Sequence, residues 1–225
     1  LYSGRNLLIV CPNQLVMEKF GRRRTLALTG AGLGTAVAGC LGGNGGGSMP
    51  DGLSGHVRPE DDPETVPPAL SCDDEEFHRL QQQYFNEQSL SWGDTSTEDD
   101  APRFALRVER LEYEYGETAT IEFTNVSDEV QTTGNRHKYS IEVKTEAGWQ
   151  DVRGKTSDRG LEFNDLGIEH QPAEGFEWTL ELTEDGVLAG HTHEDRLTVC
   201  PGLPAGRYRF VYWEPAIAVA FNLAR

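Results

Sequence analysis

The chain has 225 residues, of which 37% are hydrophobic and 9% aromatic, enough apolar material for one or two packed domains and too much for a wholly disordered chain. Its 37 Asp and Glu against 20 Lys and Arg give a formal net charge of -17, a field that repels nucleic acid and acidic membrane patches at long range. No stretch reaches the roughly 18 consecutive apolar residues of a spanning helix, so a helical multi-pass channel or transporter is excluded as well.

Residues 1–16 show no pattern, and the natural start is expected at Met17. From there a charged stretch ending in Arg22, Arg23 and Arg24 precedes Leu26 to Val37, an apolar run too short and too glycine-rich to span a bilayer. This order of features is that of a secretory signal, and the adjacent arginines fit the twin-arginine form. Val37-Ala38-Gly39-Cys40 looks like a lipobox, which makes Cys40 the expected lipidated residue of a signal spanning 17–40. Membrane residence through that lipid requires two acyl chains, since one alone holds only marginally.

Residues 41–70 begin with Gly42-Gly43-Asn44-Gly45-Gly46-Gly47 and continue with Pro50, Pro59, Pro63, Pro67 and Pro68 among acids. Such a segment buries little apolar surface and is expected to be a disordered tether. Residues 71–102 are expected to hold a short helix and a connector. Asp73, Asp74, Glu75 and Glu76 would sit at the positive end of the helix dipole, and Phe77, Leu80 and Tyr84 would share one face over 73–90.

From 103 to 225 the pattern becomes short alternating segments separated by turn residues. Phe104 to Arg110, Thr118 to Thr124, Tyr139 to Thr145, Trp149 to Arg153, Phe176 to Leu182, Arg207 to Trp213 and Ile217 to Leu223 are the predicted strands. In Tyr139 to Thr145, Tyr139, Ile141 and Val143 are expected inward and Glu142 and Lys144 outward. About seven strands without a helical period predict an all-β, antiparallel β-sandwich. Phe123, Ile141, Trp178 and Tyr208 are its expected core.

After Cys40 the chain carries three lysines, Lys138, Lys144 and Lys155, beside twelve arginines and nearly all of the acids. Dense carboxylates with scarce lysine suit molar salt, in which the Debye length falls to about 3 Å and self-repulsion is screened. The composition is that of a halophile.

Leu203-Pro204-Ala205-Gly206-Arg207-Tyr208 resembles the tyrosine corner of immunoglobulin-like domains, in which a tyrosine hydroxyl returns to nearby backbone. With Asn125-Val126-Ser127-Asp128 closing the second strand and Gly148-Trp149 opening a hairpin partner, the region from Phe104 to Leu223 resembles the Ig-like domains of bacterial and archaeal surface proteins. With its export signal, the chain is similar to haloarchaeal Ig-like lipoproteins. One feature departs from antibody domains: neither Thr118 to Thr124 nor Arg207 to Trp213 contains a cysteine. With Cys11 ahead of the expected start and Cys40 lipidated, Cys72 and Cys200 remain as a pair in an oxidising compartment and are expected to bridge. Closing so long a loop stabilises by roughly 4 to 5 kcal/mol in the chain-entropy account.

Chemistry is sparse. His191-Thr192-His193-Glu194-Asp195 places two imidazoles beside carboxylates and is a weak metal candidate, more simply read as solvated polar residues. A blue-copper site lacks its His and Met partners near Cys200. There is no G-x-S-x-G, no H-E-x-x-H and no phosphate-cradling loop, so no enzyme activity and no cofactor are implied. Asn135-Arg136-His137-Lys138 is a basic island at one end of the expected sandwich, where loops carry recognition, and could meet an envelope protein or an acidic glycan. The expected function is a membrane-anchored, extracytoplasmic interaction module on the outer face of the cytoplasmic membrane. The alternatives are an accessory metal-binding protein or enzyme using His191 and His193, and an envelope spacer without a ligand.

Overall fold

The computed structural model describes residues 53–81, 85–95, 102–157 and 159–225. Arg22, Arg23, Arg24 and Cys40 and the first part of the expected tether lie outside them.

Among the described residues there is no α-helix, only 3-10 turns at Glu87–Ser89 and Glu194–Arg196. The strands are β1 (His78–Arg79), β2 (Ser91–Trp92), β3 (Phe104–Val108), β4 (Glu112–Glu114), β5 (Thr118–Asn125), β6 (Gln131–Thr133) and β7 (Tyr139–Thr145). They continue as β8 (Gly148–Asp151), β9 (Arg153–Lys155), β10 (Ile168–His170), β11 (Gly175–Glu181), β12 (Thr198–Val199), β13 (Gly206–Tyr212) and β14 (Ile217–Ala224). One antiparallel sheet has the order β11-β5-β3. The larger has the order β2-β14-β13-β7-β8, with β4 also on β14. Two small sheets, β1-β9-β12 and β10-β6, flank them. All seven predicted strands are present within a residue or two, the sixth and seventh as β13 and β14.

The two main sheets close on one core because each long strand presents an apolar side chain at every second position. Leu106, Ile121, Phe123, Trp178 and Leu180 of the smaller sheet meet Ile141, Tyr208, Phe210, Tyr212 and Phe221 of the larger one, all buried. Trp178 and Phe210 lie 4.8 Å apart between ring centres, and Phe123 and Tyr212 lie 5.1 Å apart, edge to face. The four expected core residues are all there. The hairpin β7–β8 turns through Glu146 and Ala147, and Gly148 takes the positive φ of 101° that follows the turn.

The outer edge of β14 is closed by three separate segments in succession. Ser91 and Gly93 donate to Ala216 and Ala218, Ala220 donates to the carbonyl of Val57, and Asn222 donates to that of Leu111. Two of these segments also reach β3: His56 exchanges two backbone bonds with Val108, and Leu106 donates to Gly93. One flank of the sandwich is thereby sealed.

This corrects the expected tether in its second half. Residues 53–70 lie along the body, with Pro59 and Pro67 buried, Glu146 donating to Pro67 O and Leu70 donating to Gln150 Oε1. Proline lacks a donor and has a fixed φ, so it suits an edge segment that contributes mainly carbonyls.

The expected helix over 73–90 is corrected as well. Its described part is a turn at Asp74 to Phe77, the two-residue β1 and the 3-10 turn. Arg79 explains the outcome: its guanidinium donates to the carbonyls of Asp151, Leu70 and Cys200, and its strand pairs with Gly154. Cys72 and Cys200 form the expected disulfide, with 5.5 Å between their Cα atoms. The bridge fastens this extended segment, and not a helix, to the stretch before β13.

A third correction concerns the outer face of the larger sheet. Glu142, expected to face solvent, is fully buried. The segment carrying Phe85, Leu90 and Trp92 packs with Phe163 over Val211, Trp213 and Ala218, so both faces of this sheet are covered.

Candidate interaction surface

The basic loop 134–138, which joins β6 to β7, and the histidine segment 191–196, which precedes β12, come together at one end of the sandwich. A third segment, 159–166, lies against both. The rings of His137 and His191 are 5.7 Å apart, and those of His191 and His193 are 5.8 Å apart. No local signal in the sequence links these two positions, 54 residues apart.

Each cation and imidazole has a partner inside the protein. Lys138 is buried and its ammonium bonds Asp165 Oδ1 at 2.9 Å and both oxygens of Glu214 at 3.0 and 3.1 Å. Burial works against its charge, but the bonds to Asp165 and Glu214 outweigh burial and hold its pKa above the ordinary lysine value. Asn135 Nδ2 donates to Asn164 Oδ1 and Asn135 Oδ1 accepts from the His137 N–H. Arg136 is exposed, yet its Nη2 donates to the carbonyl of Glu177 at 2.7 Å. The indole of Trp178 donates back to the carbonyl of Arg136 at 2.9 Å.

His191 is 4% exposed. Its Nδ1 accepts the His193 N–H at 3.1 Å, so the proton must reside on Nε2, which donates to His137 O at 3.0 Å. Burial, followed by the charge of Arg153, pushes its pKa down to about 3, so the ring is neutral across the physiological range. His137 is also lowered, by burial and then by the charges of Arg136 and His193. His193 Nε2 bonds the carbonyl of Glu162 at 2.8 Å.

These bonds clamp segment 159–166. Arg196 adds bonds to the carbonyls of Arg159 and Gly160, and Phe163 packs at 5.2 Å from His193 and 5.5 Å from Trp213. Both ring nitrogens of His191 are consumed by backbone. Among the described residues, no three or more of His, Cys, Asp and Glu gather where a metal ion could be held. The end of the sandwich is therefore a cross-braced surface, on which Arg136 and Arg159 are exposed basic residues.

Two further features were not legible as sites. A cleft of about 490 Å³ beside the disulfide is lined by Cys72, Phe77, Arg196, Thr198 and Cys200. Asn125-Val126-Ser127 has the spacing of an N-glycosylation acceptor. Its amide, however, is fully buried and donates to Glu129 O and His170 O, which closes it to a modifying enzyme in the folded protein. Tyr208 donates its hydroxyl to Pro204 O at 2.7 Å, the backbone return expected from the sequence around it.

No family model matches the chain, and no curated protein is similar to it at a significant level. Among solved structures it is similar to a β-glucosidase from Listeria innocua in complex with glucose, at 16% identity and a TM-score of 0.28, over 56% of this chain and 17% of that one. The same enzyme in complex with gluconolactone gives 15% identity and a TM-score of 0.29, over 71% of this chain and 22% of that one. The chain thus spans about a fifth of the length of the structures it matches. Scores at this level carry no argument about fold or activity.

Proposed function

We propose that the chain is an exported, lipid-anchored protein whose Ig-like domain serves as an interaction module in the cell envelope. The observation that carries the Ig-like part is the bond from Tyr208 to Pro204 at the start of β13. The split edge supports it: β3 joins the smaller sheet while β4, a few residues on, crosses to lie parallel to β14. The anchored location rests on the arginines at 22–24, the apolar run and Cys40. A disulfide between Cys72 and Cys200 suits an oxidising compartment, and the carboxylate excess suits high salt.

Mass spectrometry of the protein from native membranes tests the anchor: a lipid adduct on Cys40 as the first residue is expected, and a bare thiol with the upstream peptide attached overturns it. Cross-linking in intact envelopes tests the module reading. A defined partner cross-linked to the wild-type chain, in a yield that Arg136→Glu changes, is expected. The absence of any partner leaves the envelope-spacer reading in its place.

A further inference from the structure

Of the four long edges of the two main sheets, the edges of β3 and β14 are sealed by residues 56–57 and 91–95. That of β8 is capped by Arg79, which donates to Asp151 O. The edge of β11 differs. Among the described residues no strand pairs with its far side.

The pairing pattern says which groups point there. Glu109 donates to Thr120 O, so the even positions of β5 bond toward β3 and its odd positions bond toward β11. Residues of β11 opposite the even positions are Glu177, Thr179 and Glu181, across from Glu122, Thr120 and Thr118. Their N–H and C=O groups turn away from the sheet, and all three residues are exposed. Two of those carbonyls are already used: Thr183 takes that of Glu181 and Arg136 takes that of Glu177. The remaining groups form an open ladder in a natural strand spacing. A charged side chain laid across an edge is a recognised way to deter pairing, and Arg136 occupies that place here.

The charged side chains of β11 itself, Glu177 and Glu181, are both acidic. Glu177 and Glu181 are exposed, and Glu122 lies directly opposite Glu177. Like charges at directly opposed positions repel, so an added strand is favoured when it brings cations. Arg107 stands in register with Glu122 on the other side of β5, with its guanidinium on Asp94, and Glu181 stands opposite the uncharged Thr118. We infer that the edge of β11 is a docking site for an extended segment of a partner protein carrying Lys or Arg at alternate positions, added as a further strand, with Arg136 as a displaceable guard on the Glu177 carbonyl. The main chain would give the affinity and the alternate side chains the specificity. This deepens the interaction-module reading and rests on it for its biological meaning.

The test uses the full chain and a fluorescent, end-capped peptide of alternating Lys and Val, followed by anisotropy. Thr179→Pro removes an outward N–H that the sheet does not use, a change tolerated on an edge strand. It should weaken binding by about tenfold or more, the equivalent of one or two lost backbone bonds. A peptide N-methylated on alternate residues should lose binding equally, which keeps the test valid if Thr179→Pro fails to fold. Arg136→Ala should tighten binding, and Glu177→Lys with Glu181→Lys should switch preference to a Glu-Val peptide. Equal binding of the N-methylated and plain peptides, or no binding of either, overturns the inference. A partner cross-linked equally to wild type and Thr179→Pro in envelopes would overturn the edge and leave the module reading standing. Peptide pairing without any envelope partner would do the reverse.

Discussion

Arg209 and Glu142 sit directly opposite one another on β13 and β7, both with fully buried side chains, and Arg209 Nε donates to Glu142 Oε2 at 2.6 Å. They lie on the face that strand alternation assigns to solvent. The guanidinium also makes a two-pronged contact to Glu87 at 2.6 and 2.8 Å and lies over the ring of Trp149 at 4.5 Å. A covering segment can be laid over a charged strand face only if the charges beneath it neutralise one another.

Arg209→Met should destabilise the fold by about 3 to 5 kcal/mol, because it leaves the Glu142 carboxylate buried without its cation. Pairing it with Glu142→Leu should recover much of that loss. Urea unfolding of the single and double variants decides the matter. A double variant no more stable than Arg209→Met would mean that Glu87 and Trp149, and not the buried pair, set the cost.

Tyr208→Phe removes one hydroxyl from a buried site and leaves Pro204 O without its donor. A loss of about 1 to 3 kcal/mol is expected, with the core rings undisturbed, since Tyr208 and Phe221 stack at 5.9 Å without involving the oxygen. A neutral outcome in thermal unfolding would show that the corner contributes no stability.

His191 makes stability fall with acid. Its folded pKa is depressed to about 3, below the unfolded value of about 6.5. Above 6.5 both states are neutral and the group is silent. As pH drops from there toward 3 the unfolded chain takes up a proton that the folded one refuses, so stability is lost across that window. His137 and His170, both lowered chiefly by burial, act in the same direction. Glu87, lowered by its bond to Arg209, adds its own loss further down, below the ordinary carboxylate range. His191→Gln should flatten the decline between pH 6 and 4, and an unchanged slope would assign it to other groups.

Reduction of Cys72–Cys200 should cost roughly 4 to 5 kcal/mol if the reduced chain unfolds without residual structure. Intact mass after alkylation without reductant should show neither cysteine labelled. Label on both would mean that the bridge is not formed in the isolated protein.

The long strands were legible because Tyr139 to Thr145 or Phe176 to Leu182 each bury one face and alternate accordingly. The two- and three-residue strands were not, since Gln131 to Thr133 or Thr198–Val199 is too short to carry a period. The spacing of Phe77 and Leu80 fits a helix turn, and only the tertiary pull of Arg79 and the bridge at Cys72 overrides it. Alternation along β7 places Glu142 outward because a strand pattern does not report what lies on top of the strand. The convergence of Lys138 with Asp165, and of His137 with His191, depends on topology that no local signal encodes. The open edge of β11 likewise becomes visible only once the edges of β3 and β14 have been found sealed.

The disulfide divides the molecule mechanically. Were the chain pulled between its N-terminal side and Arg225, the force would first strip the bonds of His56 and Val57 and then reach Cys72. There it would cross the covalent link to Cys200 and leave by β13 and β14. Strands β3, β5, β7 and β11 lie between the two cysteines in sequence and so outside the load path. Stretching could lengthen only the segments before Cys72 and after Cys200, so a surface built on β11 bears no load until β13 and β14 are drawn out of the core they share with it.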